Sequence, residues 1–209
     1  MIGLDGGVRL GGELTVPPRA RGVVAFAHGS GSSRLSPRNR SVAHALNNAG
    51  YATLLFDLLS AREERKRAGV FDIPLLTSRL TAASNWLAQQ GACADLPLAY
   101  FGASTGGAAA LDAAAELVQR VRAVISRGGR PDLAHSLAAV RAPTLLIVGG
   151  ADHHVLELNH DAQRRLGGPS ELAVVPGATH LFEEPGALER VGRLATAWLS
   201  RYVGDEATE

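Results

Sequence analysis

One cysteine, Cys93, in 209 residues excludes an intramolecular disulfide framework and any cysteine-based zinc site. Charge is sparse and balanced. The 21 basic and 20 acidic residues give a formal net charge of +1, which argues against a dedicated binder of nucleic acid or of anionic membrane. Long apolar runs are missing too: residues 23–27, 54–56 and 145–148 fall far short of the roughly 20 that a bilayer-spanning helix needs. The opening Met1-Ile2-Gly3-Leu4-Asp5-Gly6 has neither the basic nor the apolar region of a secretory signal. A cytoplasmic location without membrane attachment is therefore expected. Disorder is excluded in turn, because 46% of the residues are hydrophobic and only 20% charged. A chain of this length buries roughly 70% of its unfolded surface, enough for a substantial core.

Against these absences stands a regular rhythm. Apolar runs at 22–28, 51–57, 97–101, 121–126, 143–149 and 171–175 predict strands, and amphipathic segments at 38–49, 73–90, 104–119, 157–166 and 186–203 predict helices. Near-continuous Val/Leu/Ile strands spaced by helices mean a mostly parallel central sheet with helices on both faces. At the start, Val8-Arg9-Leu10 and Glu13-Leu14-Thr15-Val16 flank Gly11-Gly12 and predict an antiparallel hairpin, the glycines supplying positive φ to its turn. Nothing divides the chain, so 1–203 reads as a single α/β domain and 204–209 as a polar tail. Residues 58–70, which carry most of the local charge, and 127–142 break the rhythm. Both follow strands and so lie at the sheet edge where open α/β folds bind ligands.

The sharpest chemical signal is Gly102-Ala103-Ser104-Thr105-Gly106, between a strand and an alanine-rich helix. A serine there occupies a tight, strained turn, and the small residues at 102 and 106 let strand and helix pass closely. The turn lifts the hydroxyl above the sheet and sets the following N–H groups at a helix N-terminus, where they can stabilise an oxyanion. Such a serine needs a general base, and the base an orienting acid, in the chain order nucleophile, acid, histidine. Asp152 follows Gly149-Gly150-Ala151 just past one strand, and His180 follows Gly177-Ala178-Thr179 just past the next. All three loops open on one edge of the sheet, which makes Ser104, Asp152 and His180 the candidate catalytic residues.

The other histidines fit less well. His44 falls inside a helix, His135 in a loop, and His153 and His154 share the turn of Asp152. A metal site from His153, His154, His160 and Asp161 matches no strong ligand spacing, so no metal is expected. His28 ends a strand at the right edge but opens the loop Gly29-Ser30-Gly31-Ser32-Ser33, which suits a second oxyanion donor. Ser30 N–H is the first choice there and Gly31 the second, with Thr105 N–H as the other donor. Read instead as a phosphate loop, the stretch lacks the third glycine of a dinucleotide fingerprint, although Asp57 stands where a ribose-binding acid would. His28, Gly31, Arg62 and Arg127 are candidate substrate-binding residues, the two arginines as a clamp for a carboxylate. The structural alternatives are a solvated helix face at 62–67, with Glu63 and Arg67 at i,i+4, and Arg127 as an anchor for the Gly128-Gly129 turn.

Together with Phe56-Asp57-Leu58-Leu59 and Ser126-Arg127-Gly128-Gly129-Arg130-Pro131-Asp132, these motifs resemble the α/β-hydrolase superfamily, specifically its compact dienelactone-hydrolase-like branch, over roughly residues 8–203. The resemblance implies an α/β-hydrolase fold, Ser104 as nucleophile, His180 as base, Asp152 as acid, and no cofactor. True dienelactone hydrolases carry cysteine at the position of Ser104, so the resemblance implies their architecture and not their substrate. Many relatives insert a cap after the strand matching 121–126. Residues 127–142 are too few for one, and an open, shallow site for small or exposed acyl groups is expected. The expected activity is serine carboxylesterase action on a small-molecule ester and water. Two alternatives stay open: a non-catalytic binding or scaffold protein, and another acyl or C–C hydrolase or acyltransferase using the same triad.

Overall fold

The computed structural model describes residues 1–3, 7–65 and 69–203. Nine strands are placed, β1 (Ile2–Gly3), β2 (Arg9–Leu10), β3 (Gly12–Thr15), β4 (Val23–Ala27), β5 (Ala52–Phe56), β6 (Leu98–Ala103), β7 (Val121–Arg127), β8 (Thr144–Gly149) and β9 (Ser170–Val175). The helices are α1 (Pro37–Asn48), α2 (Ala61–Glu64), α3 (Ile73–Leu87), α4 (Thr105–Glu116), α5 (His153–Arg165) and α6 (Ala187–Tyr202). Local chemistry sets several starts. Ser36 and Asp72 cap α1 and α3 through their side chains, and Ser60 with Glu63 forms a capping box on α2.

The main sheet runs β3-β5-β4-β6-β7-β8-β9, with β3 antiparallel at one edge and every other pair parallel. Alternate strand residues feed two apolar layers, as the period of two requires. Tyr100 and Val124 face a cluster with Leu80 of α3 and Leu111 of α4, while Phe101 and Ile125 face one with Leu46 of α1 and Leu199 of α6. Because the strands after β3 point the same way, the loops leaving β4, β6, β7, β8 and β9 all emerge at one edge.

The N-terminal antiparallel element is present with other partners than expected. β2 pairs with β1, whereas β3 crosses to pair with β5 in the main sheet. Gly11 and Gly12 do not have positive φ. A Cβ on Gly11 would lie 2.6 Å from both Arg34 Nη1 and Asp57 Oδ2, and one on Gly12 2.9 Å from Ile2 Cγ2. Side chains from elsewhere in the fold occupy the space beside both glycines, a tertiary feature that a local turn signal mimics. α5 also begins four residues earlier than expected, because its first turn is polar and buries little.

Between β7 and β8 lie only two short 3₁₀ turns, Pro131–Leu133 and Leu137–Ala139, and no cap. No helix among the described residues is long and apolar enough to cross a membrane. Arg67, the expected partner of Glu63, and the tail 204–209 lie outside the described residues. Among the described residues Glu63 pairs with Arg79 at 2.8 Å.

Candidate active site

Ser104 stands between β6 and α4 with φ 50° and ψ −121°, a backbone conformation that costs a non-glycine residue of order 1–3 kcal/mol. Its surroundings hold it there. Ser104 N–H donates to Arg127 O at 3.3 Å, and Arg130 N–H donates to Ser104 O at 3.1 Å. The turn closes only because its neighbours lack side chains. A Cβ on Gly102 would be 2.4 Å from Gly106 O, and one on Gly106 would be 2.1 Å from Ala27 O. α4 then directs the positive end of its dipole toward Ser104.

Asp152 is the N-cap residue of α5, where an aspartate ordinarily accepts from its own helix. Its carboxylate makes no capping bond and instead binds His180 Nδ1 at 2.7 Å. The two loops are also tied through the backbone, Ala151 N–H donating to Ala178 O at 2.9 Å. His180 lies on a turn closed by Phe182 N–H on Thr179 O, with the Phe182 ring buried as its anchor. Glu184 braces the same turn, accepting from Thr179 N–H and Oγ1, and those bonds hold its carboxyl below the usual range.

Ser104 and His180 flank one segment. Gly128 follows Arg127, whose carbonyl takes the Ser104 N–H, and a Cβ on Gly128 would be 3.5 Å from His180 Nδ1. The Ser104 hydroxyl makes no hydrogen bond among the described residues, so of the three candidate side chains only Asp152 and His180 are hydrogen-bonded to each other.

His28 cannot act as a free base here. Leu58 N–H donates to its Nε2 at 3.0 Å, which leaves Nδ1–H to donate to Gly29 O, also at 3.0 Å. The ring is 6% exposed, and burial pushes its pKa down. It pins the loop after β4 to the segment after β5. Arg34 and Asp57 form a second pin, Arg34 N–H donating to Asp57 Oδ1 at 2.8 Å and its guanidinium to Oδ2. Asp57 is thus committed to the loop, which removes the support it lent to a nucleotide reading. Between the pins, Ser32 N–H closes a turn on Gly29 O, with Gly31 at φ 67°. The loop passes directly over the serine, since a Cβ on Gly29 would be 3.0 Å from Ser104 Cβ.

Ser30 N–H, the first-choice oxyanion donor, is already engaged and donates to Thr105 Oγ1 at 2.9 Å. The N–H groups of Gly31 and Thr105 make no hydrogen bond among the described residues. The Thr105 hydroxyl is a feature that sequence reasoning missed, having weighed only that residue's N–H.

The arginine clamp is not assembled. Arg62 is exposed on α2. Arg127 is 8% exposed, its guanidinium 5.7 Å from the centre of the Phe182 ring and 3.4 Å from Asn39 Oδ1. It is enclosed rather than presented to an open cleft, and burial, aided by Arg38, pushes its pKa down to about 10. Two further anchors were also unforeseen. Buried Asp112 accepts from the N–H groups of His135 and Ser136, and Asn159 donates to Gly129 O at 3.0 Å. Asp112 showed only as an interruption in an alanine-rich helix. No group of three or more metal-ligating side chains forms among the described residues.

Comparison with known proteins follows the same lines. The model of the dienelactone hydrolase family matches residues 10–201. A dienelactone hydrolase from Anabaena variabilis is 56% identical, with a TM-score of 0.92 over 95% of this chain and 94% of that one. The esterase domain of a Rhodothermus marinus protein, 22% identical with a TM-score of 0.77 over 97% of both chains, shares the fold. Two proteins of Mycobacterium tuberculosis, provisionally named phosphoribosyl transferases, are 64% identical over 194 residues. That match covers 92% of this chain and 44% of theirs, so the chain spans less than half the length of these relatives. With a family model matched from residue 10 to residue 201 and a relative of the same name matched almost end to end, the chain belongs to the dienelactone hydrolase family.

Proposed function

We propose that the protein is a serine hydrolase that cleaves carboxylic esters of small molecules through an acyl-enzyme on Ser104. The observation that carries this reading is the Asp152 carboxylate, which forgoes its own helix cap to hold His180 Nδ1 beside the loop that positions the strained Ser104. With Nδ1–H donating to Asp152, Nε2 of His180 is left to accept a proton. His180 takes the Ser104 proton as Oγ bonds to the ester carbon and the carbonyl electrons move to oxygen. The Thr105 N–H stabilises that oxyanion directly. Ser30 acts through the Thr105 hydroxyl, which accepts from Ser30 N–H and keeps its own proton to donate. The carbon–alkoxy bond then breaks, and His180 returns the proton to the leaving alcohol. Water repeats the sequence on the acyl-enzyme, releasing the acid and restoring Ser104.

The phosphoribosyl transferase name belongs to mycobacterial relatives more than half of whose length lies outside the match. Labelling with a fluorophosphonate tests the reading. Stoichiometric modification of the folded protein, absent in Ser104→Ala, is expected together with hydrolysis of short p-nitrophenyl esters. A folded protein that neither labels nor turns over would favour the scaffold alternative.

A further inference from the structure

Among the described residues three non-glycine positions have positive φ: Arg19 in an exposed turn, Ser104 at 50° and Phe182 at 56°. For an aromatic residue this is a genuine departure from the allowed regions, and such strain persists only where the surroundings over-determine it. Phe182 is fully buried two residues beyond His180, on the turn that carries that ring. Apart from the exposed turn, the strained positions are therefore the candidate nucleophile and the anchor of the candidate base. Arg127 meets both. Its carbonyl takes the Ser104 N–H at 3.3 Å, and its guanidinium lies over the Phe182 ring, 5.7 Å from the ring centre. The next residue completes the link. Gly128 N–H donates to Ile147 O at 2.7 Å, and a Cβ on Gly128 would be 3.4 Å from Phe182 Cε2 and 3.3 Å from His180 O.

From this placement we infer that Arg127 is a positioning residue, its guanidinium holding Phe182, and through it the His180 turn, in register with Ser104. The inference rests on the serine-hydrolase reading above and adds a residue that acts through another.

Stability does not account for a charge at this position. Arg127 Nε and Nη1 are buried without a hydrogen-bond partner among the described residues, and Nη2 reaches only Asn39 Oδ1 at 3.4 Å. No carboxylate pairs with the guanidinium among the described residues. Its charged neighbour is Arg38, which is engaged with Glu183 and repels it. A buried cation without a carboxylate costs stability, and an apolar side chain of similar length avoids that cost. What the charge supplies is direction. A cation is attracted to the face of an aromatic ring, and more strongly once both are removed from water. A hydrocarbon chain fills the same space without favouring one orientation of the ring. Asp152 holds His180 at Nδ1, and the turn that carries the histidine rests on Phe182. A ring free to shift would carry the base out of line with the strained serine.

The test measures p-nitrophenyl butanoate hydrolysis and thermal melting on the full chain. Arg127→Met keeps most of the side-chain volume and removes the charge. A misplacement of about 1 Å that originates away from the reacting groups can cost about 10²-fold, so kcat should fall about tenfold or more. KM should change little, and Tm should stay at or above that of the wild type. Arg127→Lys, which keeps a cation beneath the ring, should recover part of the lost kcat. Phe182→Leu should lower kcat as Arg127→Met does, and the double variant no further, because the two side chains act as one unit. An unchanged kcat in Arg127→Met, a kcat that falls only in step with Tm, no recovery in Arg127→Lys, or additive losses in the double variant would overturn the inference while leaving the hydrolase reading intact. If Arg127→Met does not fold, Arg127→Lys decides: a lowered kcat at unchanged Tm sustains the inference, and wild-type kcat overturns it. Wild-type protein that neither turns over esters nor labels with fluorophosphonate would overturn both.

Discussion

Replacing His28 by alanine separates the loop-pinning role from a catalytic one. The side chain satisfies two buried backbone groups, the N–H of Leu58 and the carbonyl of Gly29, each at 3.0 Å. Each group left unpaired costs about 1–3 kcal/mol, so His28→Ala should lose about 2–6 kcal/mol, a large share of a domain stability of about 5–15 kcal/mol. Urea unfolding followed by the fluorescence of Trp86 and Trp198 measures this loss at pH 8. Acidification adds a second signature. Burial lowers the folded pKa of His28 from 6.5. Below 6.5 the unfolded chain binds a proton that the folded ring refuses, so wild-type stability falls as pH drops toward the folded value. The alanine variant lacks this component, and the gap between the two proteins should narrow from pH 8 to pH 5. Ester hydrolysis should slow because the loop over Ser104 loosens, yet fluorophosphonate labelling should persist, whereas His180→Ala should abolish it. A variant within 0.5 kcal/mol of wild type at pH 8, a gap that widens on acidification, or complete loss of labelling in folded protein would refute the reasoning.

Asp152→Asn should keep the fold, because the carboxylate caps no helix, and should lower kcat by about 10⁴-fold by leaving the His180 ring without its orienting acceptor; burst kinetics and circular dichroism check this. Gly106→Ala places a methyl 2.1 Å from Ala27 O. It should cost about 3 kcal/mol or more, lowering Tm by roughly 6–12 °C in a scanning melt. Thr105→Val removes the hydroxyl that receives Ser30 N–H. It should cut kcat by roughly ten- to thirtyfold, about 1–2 kcal/mol of transition-state stabilisation, with KM little changed. An unchanged kcat would assign Ser30 N–H a direct role, or none.

Much of this arrangement was legible because its causes are local. Ser104 between a strand and a small-residue helix can only be a tight turn, and a chain of parallel strands must deliver its loops to one edge. Those two facts place Asp152 and His180 near each other before any contact is known. The loop after β4 was legible as a neighbour of Ser104, and the partners of its polar groups were not. Ser30 N–H points to Thr105 Oγ1, a contact across 75 residues that no motif records. The glycine pair at 11–12 misled for the same reason, since what lies against it is the Arg34–Asp57 pair and Ile2, from elsewhere in the fold.

Periodicity and turn chemistry in the amino-acid order alone determined the layered α/β class, the spacing of its elements, and the edge where the three candidate side chains emerge. Only tertiary structure decided which polar groups are committed and which are left free. His28 and Asp57 became pins, Arg127 was enclosed beneath Phe182, and Asp152 was turned from its helix toward His180. The reason is physical. A buried donor or acceptor must be satisfied by whatever partner packing brings to it, and that partner is set by long-range contacts rather than by neighbours in the chain.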